Sequence, residues 1–260
     1  MQSLRSAVLG PLLEPDAVPK ARATLALDAC LPVDADAVIA EPTGIPGRPA
    51  KPGLVPHSEI VQRSVATPQG RAALVHSIAH IELNAIDLAL DIVWRFPGMP
   101  EAFYRDWVAI AKEEAKHFLL LRNHLVTLGH DYGDFPAHNA LWDMAEKTRG
   151  DLLARIALVP RTLEARGLDA SPMVKKKLVS VGDHAAGRIL DVILAEEIGH
   201  VAVGNRWYRI LCAQRGLDPV ATYAQLADKY KAPLLRGPFN LEARRAAGFD
   251  EDELAALQAT

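Results

Sequence analysis

Six residues combine types and spacings suited to holding metal ions: Glu82, Glu114, His117, Glu164, Glu197 and His200. Glu82 is followed 32 residues later by Glu114, which opens the tetrapeptide EAKH ending at His117. Glu164 is followed 33 residues later by Glu197, which opens EIGH ending at His200. Both times the order is a glutamate, an interval of about one helix and a turn, then Glu-x-x-His, so the pattern is an internal repeat. Residues three apart on a helix project from one side, and each Glu-x-x-His therefore offers a carboxylate and an imidazole to a common point. The surrounding faces are apolar: Ile110 and Leu121 flank the first pair, Ile193, Leu194 and Gly204 the second, and Ile78, Ala79 and Ile86 surround Glu82. Carboxylates turned into such an interior are costly unless neutralised, and no matching number of Lys or Arg lies on those faces. Two divalent cations would supply the charge. Carboxylate and imidazole without thiolate favour two iron ions, or manganese or a mixed Fe/Mn pair, over a closed structural zinc site. Glu114 and Glu197 take the bridging roles in this reading, and Glu82 and Glu164 the terminal ones.

Each motif is preceded by a second acid, as EEAKH and EEIGH. Glu113 and Glu196 lie about 100° round the helix from the ligands, where they could accept the free N–H of a histidine on a neighbouring helix. For Glu113, beside Lys112 and Lys116, a solvated position is the alternative. His76, His80, His124, His130, His138 and His184 fall outside the repeat and are not assigned as ligands, and Trp94, Trp207 and Tyr208 are read as core packing.

The elements that must carry these residues are helical. From 67 to 216 apolar residues recur at three- and four-residue spacing, with no convincing alternation of strand type. A first helix is predicted from Pro68, capped by Thr67, to about Arg95, where Pro97-Gly98 ends it. A second starts near Pro100 and stops at Gly129. A short helix covers His138 to Lys147. A third long helix runs from about Asp151 to Ala165, kinks at Pro160 because the Ile156 carbonyl loses its partner, and ends at Gly167. A fourth occupies Gly182 to Gln214. This predicts an all-α, antiparallel four-helix bundle of ferritin-like type. Residues 1–66 read as a lead-in with an extended strap, since PTGIPGRPAKPGLVP from Pro42 to Pro56 is too rich in Pro and Gly for helix or sheet. Residues 217–260 read as a basic tail with helices at Val220–Lys229 and Glu242–Ala247.

Half of the 260 residues are apolar, enough for a sizeable core, and the net charge of −3 gives no global attraction to nucleic acid or anionic membrane. Two distant cysteines, Cys30 and Cys212, form no thiol motif and fit a reducing cytoplasm. No signal peptide is read, and no uninterrupted apolar run is long enough for a membrane span.

The segments HSIAHIELNAIDLALD, EEAKHF, EEIGHV, LVPRTLEARGLD, GRPAKP and PFNLEARRAAGF together resemble a bacterial family of ferritin-like proteins known as domain of unknown function 455. The resemblance spans roughly Pro42 to Phe249 and keeps all six candidate ligands. In architecture that family is similar to the diiron enzyme that hydroxylates a modified adenosine in tRNA. The reading is then a diiron oxidase or hydroxylase, with dioxygen, an unidentified substrate and an electron-donating reductase as partners. Arg236, Arg244 and Arg245 in the tail are candidates for holding an anionic group, a tRNA phosphate included. Two other classes stand beside it: an iron-handling ferroxidase or storage protein, and a non-enzymatic bundle stabilised by metal.

Overall fold

In the computed structural model, which describes residues 2–259, every regular element is helical, and the only bridge of strand type among those residues is an isolated one between Leu54 and Ala137. The chain forms two compact units, Met1–Ala140 and Leu141–Thr260. Each unit carries one copy of the glutamate and Glu-x-x-His repeat.

The first unit is built on two long helices. Helix α4 covers Pro68–Arg95 and α5 covers Glu101–Thr127. Proline at the first position of α4 loses no hydrogen bond there, and the Thr67 hydroxyl accepts the Gly70 N–H at 3.0 Å. The turn between the helices is closed by Tyr104, whose hydroxyl donates to the Phe96 carbonyl at 2.9 Å and accepts the Met99 N–H at 3.0 Å. Helix α4 is long and apolar enough to cross a membrane, yet 72% of its most apolar stretch is buried inside the protein. Its buried Glu82, Asn84, Asp87 and Asp91 mark it as a core helix.

Three short helices precede the strap: α1 at Leu4–Ala7, α2 at Leu9–Leu13 and α3 at Ala17–Leu25. The sequence reading holds none of them, because helices this short form only with tertiary support. That support is visible at Arg5. Its guanidinium is fully buried and donates to the carbonyls of Val93 (3.1 Å), Trp94 (2.7 Å), Ala35 (2.9 Å) and Ala37 (2.6 Å), so it caps the C-terminus of α4 and ties the lead-in to it. Lys20 of α3 makes a buried ion pair with Asp87 of α4. The strap is irregular as predicted, and a β-carbon at Gly47 would overlap the carbonyl of Leu13, so only glycine fits that crossing.

Helix α6 (Ala140–Lys147) begins at the last residue of the first unit, and the second unit goes on with α7 (Leu152–Leu158), a π turn at Val159–Glu164, α8 (Ala165–Ser180) and α9 (His184–Gln214). Three more helices follow, α10 (Pro219–Lys229), α11 (Leu241–Ala246) and α12 (Glu251–Gln258). The kink expected at Pro160 takes the form of the π turn, in which the Thr162 hydroxyl donates to the Ala157 carbonyl at 2.7 Å. Gly167, however, does not end the helix. Chain 165–180 remains helical because Ala165 and Leu168 are fully buried in a cluster with Val201, Ala243 and Ala247, which outweighs the roughly 1 kcal/mol that glycine costs inside a helix.

Candidate metal centre

Within the first unit Glu82, Glu114 and His117 bring together two buried carboxylates and an imidazole that could hold a metal ion. In the first unit Glu82 comes from α4, and Glu114 and His117 come from adjacent turns of α5. One ligand atom from each of these three lies within 4.8 Å of the others. His117 Nδ1 is 3.2 Å from a Glu82 carboxylate oxygen and 3.5 Å from one of Glu114. None of the three is more than 4% exposed. Val108, Ile110, Phe118 and Leu121 extend the apolar face of α5 on which they sit.

The electrostatics of this triad favour a cation. Burial by itself lowers the pKa of His117, but hydrogen bonds to Glu114 and Glu82 and the charge of both carboxylates outweigh it, and the group is pushed up to about 11. Two carboxylates around one imidazole, with no thiolate, are a donor set that iron or manganese fits. The chemistry of the donors is therefore compatible with the metal inferred from the sequence.

In the second unit Glu197 and His200 stand on one face of α9, with His200 Nδ1 3.5 Å from a Glu197 oxygen. Glu197 is 7% exposed and His200 2%. Glu164 is half-buried at the last position of the π turn. Glu113 and Glu196 are half-buried as well, each one step round its helix from a buried glutamate.

Among the described residues, none of the other histidines joins a group of three or more acids, histidines or cysteines of metal-binding geometry. His80 Nδ1 instead meets the Tyr132 hydroxyl at 2.8 Å, and His76 stacks on the Tyr132 ring at 5.2 Å between centres. Trp94, Trp207 and Tyr208 are buried, in keeping with packing roles.

The three tail arginines have different environments. Arg244 is 1% exposed and makes a two-pronged ion pair with Asp169, through Nε at 3.0 Å and Nη2 at 2.7 Å. A side chain so enclosed does not present its guanidinium on the protein surface. Arg245 is exposed and paired with Glu251 at 2.6 Å, and Arg236 is exposed.

One buried cluster has no sequence signal. Arg161 of the π turn donates through Nε to Asn205 at 2.7 Å and through Nη2 to Glu253, and its guanidinium lies over Tyr208, Phe249 and Tyr223 at 4.5, 5.0 and 5.2 Å from the ring centres. Its polar partners stand 44 and 92 residues away along the chain, beyond any local pattern.

The model of the family described as Protein of unknown function (DUF455) matches residues 14–255. The chain belongs to the DUF455 family. An uncharacterized protein of Haemophilus influenzae strain Rd is 49% identical to this DUF455 chain over 213 residues, which is 79% of the chain and 74% of the relative. No solved structure matches it.

Proposed function

We propose that this DUF455 protein is a dimetal carboxylate protein of ferritin-like build, most simply a diiron oxidase or hydroxylase acting on an organic substrate. The observation that carries the reading is the buried Glu82, Glu114 and His117 triad, whose residue order is repeated by Glu164, Glu197 and His200. The six ligands of the repeat, Glu82, Glu114, His117, Glu164, Glu197 and His200, would together hold the two metals. Glu113 and Glu196 would orient the histidines by accepting a ring N–H.

When bound, two ferrous ions would supply electrons for the reduction of dioxygen. The protein's own contribution is to keep the ligands together and dry. Phe118 and Leu121, which follow His117 on the same helix, are buried and would help exclude water, and the buried carboxylates would favour a doubly charged ion over a singly charged one. A small electron-donating protein and a reducing compartment are part of the proposal, the latter in keeping with two free thiols, Cys30 and Cys212.

The test is elemental analysis of freshly purified protein, followed by anaerobic Fe(II) loading and optical spectra on exposure to oxygen. About two irons per chain and a new absorption band, both lost in Glu114→Ala and Glu197→Ala, support the reading. Absence of bound metal together with no response to Fe(II) or Mn(II) would sink it. Iron uptake with release of ferric iron, and no coupled oxidation of any organic substrate, would favour the ferroxidase class instead.

A further inference from the structure

The second unit contains a cavity of about 460 Å³, inside the roughly 300–1,000 Å³ range of small-molecule sites. Its wall is largely apolar, with Val220, Tyr223, Leu235 and Phe249 contributing, and two arginines, Arg161 and Arg244, also line it. These arginines come from separate elements, the π turn and α11. Both pack on one ring: their guanidinium carbons lie 5.0 and 5.3 Å from the centre of Phe249.

Each guanidinium is only partly engaged. Arg161 uses Nε for Asn205 and Nη2 for Glu253, and Arg244 uses Nε and Nη2 for Asp169. Among the described residues neither Nη1 makes a hydrogen bond, although both side chains are 4% exposed or less. Neither Nη1 is among the fully buried unpartnered polar atoms, so each keeps some solvent access, and an oxyanion gains most from a charged N–H donor. Glu253 and Asp169 balance the single charges of Arg161 and Arg244, so little net positive charge is left and a phosphate dianion is disfavoured more than a monoanion. Glu253 does not repel it strongly, because its two oxygens are taken by Arg161 and Arg209.

We propose that this cavity binds a small amphipathic carboxylic acid, its carboxylate at the open Nη1 groups of Arg161 and Arg244 and its apolar body against Phe249, Tyr223 and Leu235. The site stands apart from the metal reading: no residue of it is a proposed metal ligand, and it can be measured in metal-free protein. The bound acid would be a substrate or an effector.

The experiment is calorimetric titration of the full-length protein, before and after metal removal, with decanoate and phenylbutyrate, and with decanol and decyl phosphate as comparisons. One carboxylate bound per chain, at least ten times tighter than decanol and decyl phosphate, is the expected result. Ala227→Trp, which places a large side chain in the cavity from α10 and leaves both arginines in the sequence, should abolish binding while leaving the circular dichroism melting curve in place. Arg161→Gln should weaken the carboxylates and not decanol, and Ala227→Trp keeps the proposal testable if that variant does not fold. Failure of both acids to bind, equal affinity for decanol, or binding unchanged in Ala227→Trp would each overturn the proposal.

Discussion

Gly204 of α9 lies directly against Pro160 in the π turn: a β-carbon at Gly204 would stand 3.2 Å from the Cβ of Pro160 and 3.5 Å from its Cγ. The turn that ends in Glu164 is thus seated on a gap that a side chain at 204 would narrow. Gly204→Val should overpack the contact, destabilise the protein by about 1–3 kcal/mol and displace Glu164. Urea unfolding reads the first effect, and metal content of the folded variant reads the second. A variant with full stability and full metal content would show that the π turn is not held by this contact.

Metal should be a stabiliser as well as a reagent. A ligand present at about a hundred times its Kd adds about 2.7 kcal/mol when it binds the native state alone. Chelation should therefore lower the Tm of the wild type by several degrees, reversibly on return of Fe(II) or Mn(II). Glu114→Ala should melt at one temperature with or without metal, because the ion has lost a carboxylate from a triad whose ligand atoms lie within 4.8 Å of one another. Calorimetric melting curves of the two proteins decide it.

The Lys20–Asp87 pair is buried on both sides, at 1% and 3% exposure. Burial pushes the Asp87 carboxyl upward, and the nearby Lys20 ammonium opposes that shift. Removing only the cation in Lys20→Met should cost about 3–5 kcal/mol, since it leaves a buried carboxylate unpaired. Lys20→Met with Asp87→Leu should recover most of the loss. If the single and double variants unfold at the same urea concentration, the pair is not the source of the effect.

His76 gives a pH dependence with a definite sign. Its Nε2 accepts the Gly133 N–H at 2.9 Å, so the neutral tautomer is the one the fold uses. Burial, opposed by Asp134 and reinforced by His130, lowers its pKa from 6.5 to about 4. The unfolded chain takes up this proton first as pH falls, so the stabilisation is fully present above about pH 6.5 and is lost as pH falls towards 4. The whole loss is about 3 kcal/mol for a shift of this size. His76→Phe should flatten that part of the stability profile between pH 7 and 4.5, measured as the urea midpoint. Equal slopes in wild type and variant would assign the dependence to other groups.

Much of this protein is local in origin and therefore legible in the chain. Thr67-Pro68 starts α4, Pro97-Gly98 separates it from α5, and a proline at 160 interrupts the third long helix, all through backbone chemistry confined to a few residues. The pairing of Glu114 with His117, and of Glu197 with His200, is likewise set by helical periodicity. Other features depend on contacts between distant segments. Helices α1 and α2 are too short to form alone, and α8 runs on through Gly167 because Ala165 and Leu168 are buried.

The amino-acid sequence by itself determined the helical class, the two Glu-x-x-His motifs and the residue types that suit a divalent metal, because helix geometry converts spacing into direction. Only the tertiary structure decided that Glu82 meets Glu114 and His117, that Arg244 is enclosed with Asp169 rather than spread on a basic surface, and that Arg161 and Arg244 share the wall of a cavity. The reason is physical: a charge on a tail and a charge in a core have the same letter in the sequence, and what separates them is which apolar surfaces close over them when distant segments pack.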